Sequence, residues 1–293
     1  MLSAIRRTEN RWALLAIVVA AQFMNIYAIS WLPLSFENSD SNLPVYEYRL
    51  ISLALSVLLI WISAPNALKY FKVRIGNYPK FYTAIIFIGL ALGSLVFGWF
   101  QHFPVLASLD ALMFSLFIGL DEEFFNRVFV FGLLERVGME FAMAVSAIIF
   151  GAAHFTNYFY GDESFNYVLG HVIEAAGFGY FMVALMIATG NVWVPVALHG
   201  MTDLRWVVMD SVDYSAIVSG GTNWIMTFFV TFGYLACARF VLGFHERKFH
   251  VPSSWNGALR YLGLIDYILE KIGCTIYSLR SESPEEFPRG FWF

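Results

Sequence analysis

The chain is poor in cysteine and poor in charge. Only two of its 293 residues are cysteine: Cys237 inside a hydrophobic stretch and Cys274 in the C-terminal tail, which offers no disulfide framework. Neither has a histidine beside it, so both read as inert thiols rather than nucleophiles. Charged residues make up 14% of the sequence, where a soluble globular protein carries about 25%. Also missing are an internal repeat, a nucleotide-binding loop, a soluble second domain and a basic patch, which leaves no footing for nucleic acid as a partner. The net charge of −4 decides little, because the placement of Lys and Arg matters more than their sum.

What fills the chain instead is apolar. A bilayer crossing needs about 20 predominantly apolar residues, and on that criterion the sequence predicts helices over 12–33, 50–68, 81–100, 105–134, 140–158, 167–189, 192–210 and 223–243. The first follows Arg6, Arg7 and Arg11 and is longer than a signal-peptide core, so it reads as a retained span. The fourth is too long for one upright crossing, so its end near Glu135 and Arg136 is expected in the interface. The sixth and seventh are joined by only Gly190 and Asn191, a tight helix–helix turn.

Loop charge supplies an orientation. Lys69, Lys72, Arg74 and Lys80 share one side with the N-terminal arginines, with Arg136, and with Arg239, Arg247 and Lys248. The other side receives Glu37, Asp40, Glu47 (with Arg49), Asp162 and Glu163. The positive-inside rule then puts both termini in the cytoplasm. The expected fold is an all-α polytopic membrane protein with about eight transmembrane helices. Residues 1–104 hold the N-terminal helices, 105–210 a core, 211–243 the last helix and 244–293 a cytoplasmic tail. Within that tail, Trp255 to Leu279 repeat at near-helical spacing, as in an amphipathic helix lying on a bilayer.

Ionisable groups at membrane depth are costly and mark chemistry or transport. Here they cluster in the core. Glu122 and Glu123 are adjacent, with Arg127 one helical turn beyond Glu123 and able to pair with it. Glu122 points about 100° away. One carboxylate is then held by the arginine, while the other is expected in a drier place, where a carboxylate is a better general base. The same cluster also fits a buried ion pair that only locks two helices. His154 follows Phe150 and two alanines, small residues that admit a neighbouring helix. His199 and Asp203 share one face of a later span, and His171 with Glu174 share a face of another. Elsewhere these spans are almost free of charge, with Asp110 and Arg205 among the exceptions. Convergence of such groups on one polar cavity costs less than burying each alone. Counting along helices puts Glu122 and His154 at similar depth, and His199 shallower by several residues.

In order, Glu122-Glu123-x-x-x-Arg127, Phe150-x-x-x-His154 and His199-x-x-x-Asp203 resemble the three motifs of the CAAX-protease and bacteriocin-processing family, over about residues 105–210. These are glutamic-type intramembrane endopeptidases related to the eukaryotic CAAX prenyl endopeptidase. The resemblance implies that Glu122 activates a water as general base, with His154 helping to hold it. It implies that Glu123 orients His199 while Arg127 braces the glutamate pair, and that His199 and the residue at Asp203 stabilise the oxyanion. Many members carry Asn where this chain has Asp203. An ionised aspartate cannot donate a hydrogen bond, so Asp203 is either protonated or acts by orienting His199. The implied substrate is a membrane-associated protein or peptide at the bilayer, and no cofactor is implied. The membrane is a plasma membrane in a prokaryote and the endoplasmic reticulum in a eukaryote.

Two other readings fit the same residues. The carboxylates and histidines can hold zinc, although His171-x-x-Glu174 is the nearest fragment to an HExxH metal motif. They can also line a proton relay or substrate pathway in a transporter, or belong to a non-catalytic scaffold or immunity protein. The absence of an inverted repeat weighs against transport.

Overall fold

A computed structural model describes residues 10–28, 43–71, 105–160, 163–209 and 222–249. Among these the chain is helical and contains no strand. The expected span 81–100, the charges Arg6, Arg7, Glu37, Asp40, Lys72, Arg74, Lys80 and Asp162, the tail helix and Cys274 all lie outside the described residues. So do the side chains of Asp110, Arg205, Arg247 and Lys248.

Helix α1, Arg11–Phe23, starts where the side chain of Asn10 accepts from the amides of Trp12 at 3.0 Å and Ala13 at 3.3 Å. It continues as a π-helical turn, Met24–Ala28. Helix α2, Leu43–Ser63, stops before Pro65, whose ring cannot continue the ladder. A 3-10 turn, Pro65–Phe71, follows. The predicted span 50–68 is thus displaced toward the N-terminus. The displacement carries Glu47 and Arg49 into the helix, where the sequence reading had them as loop charges.

The next run is continuous from residue 105 to 137 but changes pitch. Helix α3, Val105–Glu123, passes into a π-helix, Phe124–Val130, then α4, Phe131–Leu134, and a 3-10 end, Glu135–Val137. All seven π-helical residues are buried. Gly138 turns the chain at φ 141°, a left-handed conformation suited to glycine, into α5, Met139–Ala153. A short α6, Thr156–Tyr160, precedes α7, Phe165–Thr189, which Ser164 caps. Gly190 at φ 65° ends α7 in a left-handed cap. Helices α8, Trp193–Met209, and α9, Trp224–Phe249, complete the described chain.

Among the described residues four stretches are long and apolar enough to cross a membrane: Tyr46–Ser63, Met139–Phe159, Phe165–Thr189 and Trp224–Gly243. Trp61, Ile225, Phe228 and Phe229 stand exposed on them. Apolar side chains facing outward from apolar helices are the marks of an integral membrane protein.

Two helix crossings position the core, α3 on α8 and α5 on α7. At the first, a Cβ on Gly119 would lie 2.9 Å from both the Gly200 amide nitrogen and the Val196 carbonyl. At the second, a Cβ on Gly151 would lie 2.5 Å from the Val172 carbonyl. Glycine at these points lets the backbones touch. The predicted tight link between α7 and α8 is present but spans three residues, 190–192, of which Gly190 is exposed and the other two are buried. Asn191 and Val192 are covered, the Val192 amide donates to the Tyr70 carbonyl at 2.9 Å, and Trp193 Nε1 donates to the Phe71 carbonyl at 3.4 Å. The link thus packs against the 3-10 turn, while Trp193, the first residue of α8, stands partly exposed.

Candidate active site

The pitch change falls directly after the two glutamates. In the π-helix the Phe131 amide donates five residues back, to Asn126. Two polar groups of the wide turn find partners: Asn126 Nδ2 donates to the Glu122 carbonyl at 2.8 Å, and the Asn126 carbonyl accepts from Ser146 Oγ of α5 at 2.7 Å. Single π-helical turns inside α-helices often accompany functional sites.

Glu123 and Arg127 form a fully buried ion pair. Arg127 Nε lies 2.9 Å from Oε2, and Nη2 donates to Oε1 at 3.1 Å. The Phe150 ring covers the guanidinium, with 4.5 Å from Cζ to the ring centre. The same Glu123 Oε1 lies 2.7 Å from His199 Nδ1. A carboxylate held by arginine has no proton to give, so Nδ1 carries the hydrogen and Nε2 is turned away from Glu123. Nε2 lies 3.5 Å from Asp203 Oδ2 and 3.8 Å from Glu122 Oε2. Phe150 and Phe178 meet the His199 ring edge to face, at 5.6 and 5.3 Å between centres.

His154 closes α5. Its Nδ1 lies 3.0 Å from the Phe150 carbonyl, which can only accept. Its free Nε2 is therefore an acceptor when the ring is neutral. The His154 ring stands 4.6 Å from that of His171. Glu174 accepts from Thr227 Oγ1 at 2.6 Å, which ties α7 to α9. Together these groups line one cavity of about 1020 Å³, with Glu122, His154, His171, Glu174, His199 and Asp203 on its wall. Glu123 and Arg127 lie behind that wall, beyond solvent reach.

Two expectations are corrected. The drier carboxylate is Glu123, fully buried beside its arginine, whereas the Glu122 side chain is 22% exposed to the cavity. Nor is Glu122 without a cation, for Arg49 of α2 reaches across and places Nη1 2.8 Å from its Oε1. Sequence reasoning missed this residue, and missed Asp121, whose Oδ2 lies 3.1 Å from the same nitrogen. It also missed Phe178 and Thr227. Nothing local marks any of the four, because their partners lie on other helices. Among the described residues no group of three or more His, Cys, Asp or Glu side chains is arranged to hold a metal ion.

A family model described as type II CAAX prenyl endopeptidase Rce1-like matches residues 104–205, the region of the three motifs. No curated protein and no solved structure matches the chain.

Proposed function

We propose that the protein is an intramembrane endopeptidase that hydrolyses a peptide bond of a membrane-associated substrate with a glutamate-activated water and no metal. The observation that carries this reading is the placement of Glu122. Its carboxylate faces a cavity within 3.8 Å of a histidine ring nitrogen whose tautomer a second glutamate fixes. The family match over 104–205 supports peptidase chemistry on a lipid-anchored or otherwise membrane-held protein.

In this mechanism Glu122 takes a proton from a water as the oxygen attacks the scissile carbonyl carbon, and His154 Nε2 accepts the other hydrogen of that water. The oxyanion forms beside His199. Nε2 donates to it only when the ring carries both protons, and the Glu123 carboxylate beside Nδ1 balances that charge. The C–N bond then breaks as Glu122 returns its proton to the leaving amine. General-base assistance of this kind is worth about 10²–10⁴ in rate.

The substrate is a prenylated CAAX protein or another membrane-anchored chain. The eight-span arrangement with both termini cytoplasmic completes the reading, with Lys69 and Arg136 on the cytoplasmic side.

Cleavage by purified protein in detergent tests this. Pooled farnesylated and transmembrane peptides are offered to wild type and Glu122→Gln, with and without a zinc chelator, and products are read by mass spectrometry. Cleavage is expected to survive chelation and to disappear with Glu122→Gln. Activity in that variant sinks the glutamate mechanism, and loss on chelation replaces it with zinc.

A further inference from the structure

Arg49 lies on α2, outside the residues that match the family model, and its side chain sits between two consecutive carboxylates of α3. One nitrogen, Nη1, serves both: 3.1 Å to Asp121 Oδ2 and 2.8 Å to Glu122 Oε1. We infer that Arg49 is a positioning residue of the hydrolytic site, anchored through Asp121 and holding Glu122 by Oε1 so that Oε2 is the oxygen that takes the proton. The inference rests on the hydrolytic reading above.

The anchor is independent of Glu122. Ser52 lies three residues after Arg49, on the same side of α2, and its hydroxyl is bonded to the other oxygen of Asp121. Ser52 Oγ also lies 2.6 Å from Asn25 Oδ1, and Tyr48 Oη donates to the Asn25 carbonyl at 3.2 Å. Asp121 is thereby tied on both oxygens and is almost fully buried, with 3% of its side chain exposed. If Arg49 served only to lock α2 to α3, the contact with Asp121 would suffice. The contact with Glu122 lies instead at the cavity wall, where that side chain is 22% exposed.

A helix turns about 100° per residue, so the side chains of 121 and 122 diverge. A single nitrogen that meets both draws Glu122 toward α2 and halts its rotation. A free glutamate samples several rotamers, and immobilising it beforehand removes that entropy from the reaction. With Oε1 engaged, Oε2 is left facing the cavity, 3.8 Å from His199 Nε2.

The peptide-cleavage assay tests the inference with Arg49→Gln, Arg49→Lys, Ser52→Ala and Glu122→Gln. Arg49→Gln is expected to lower kcat about 10²-fold with KM little changed, the scale expected when a reacting group is misplaced by about 1 Å. Arg49→Lys restores most of kcat, because the contact uses one nitrogen and an ammonium supplies one. Ser52→Ala loosens the anchor and lowers kcat by a smaller factor. Wild-type kcat in Arg49→Gln overturns the inference. So does a loss in both Arg49 variants that follows their unfolding temperature, which assigns Arg49 to structure; Ser52→Ala keeps the test open if Arg49→Gln does not fold. A silent wild type, or an active Glu122→Gln, overturns the hydrolytic reading itself and the inference with it.

Discussion

Glu123 Oε1 and His199 Nδ1 lie 2.7 Å apart across 76 residues of sequence, and Arg127 donates to the same oxygen. One carboxylate thus joins the first and third motifs and sets the tautomer of the histidine.

Replacing Glu123 by Ala leaves Arg127 buried without a counter-charge. Breaking such a pair costs about 3–5 kcal/mol. The expected outcome is a lower unfolding temperature in detergent together with loss of cleavage, whereas Glu122→Gln loses cleavage at nearly unchanged stability. Equal stability of the two variants would contradict the burial difference between them.

Asp203 separates two roles. An amide donates a hydrogen bond at any pH, so Asp203→Asn is expected to keep cleavage within about tenfold of wild type, and Asp203→Leu to lose about 10²–10³ in kcat. A large loss in Asp203→Asn, measured by initial rates, assigns Asp203 to orienting His199 through its charge.

The α3–α8 crossing supplies a steric test. Gly119→Val drives a branched side chain into the Gly200 and Val196 backbone, and overpacking of this kind costs about 1–3 kcal/mol. Parting these helices moves His199 away from Glu123, so activity falls further than stability. Gly233 of α9 is the control, since a Cβ there meets nothing within 4 Å. Gly233→Ala is expected to keep cleavage and to gain a little stability in thermal melts.

At the end of the α3–α4 run, Glu135 accepts from Tyr70 Oη at 2.9 Å and pairs with Lys69 at 2.9 Å. Burial, and then the Glu135 carboxylate, hold the Tyr70 phenol above its ordinary range. A raised folded-state value means stability that is fully present below the unfolded value, near 10 for tyrosine, and lost as pH rises beyond it. Thermal melts taken at rising alkaline pH are expected to fall less steeply for Tyr70→Phe than for wild type.

The helical character, the resemblance of the three motifs to a known family and the short α7–α8 link were legible because each is written locally, in apolar runs, in i,i+4 pairs and in a glycine at a helix end. The partners of Glu122 were not. Arg49 reads as a flanking charge because the break at Pro65 shifts α2 by several residues, and only the fold reveals that it faces Asp121. Counting along helices sets His199 apart from Glu122, whereas the fold brings their side chains within 3.8 Å. No propensity announces the π-helix at Phe124–Val130, whose apolar residues around Asn126 and Arg127 read as an ordinary buried helix.

That π-helix works as a phase shifter. Carrying more residues per revolution than its neighbours, it resets the angular register between the stretch that ends in Glu122 and Glu123 and the stretch that packs Leu133 and Leu134. Each half can then satisfy its own surroundings, one facing a polar cavity and the other a solid apolar interior. Rewinding these residues as an uninterrupted α-helix with none removed would rotate the carboxylates by more than a quarter turn relative to the core. In this segment backbone pitch, as well as side-chain identity, aims the carboxylates.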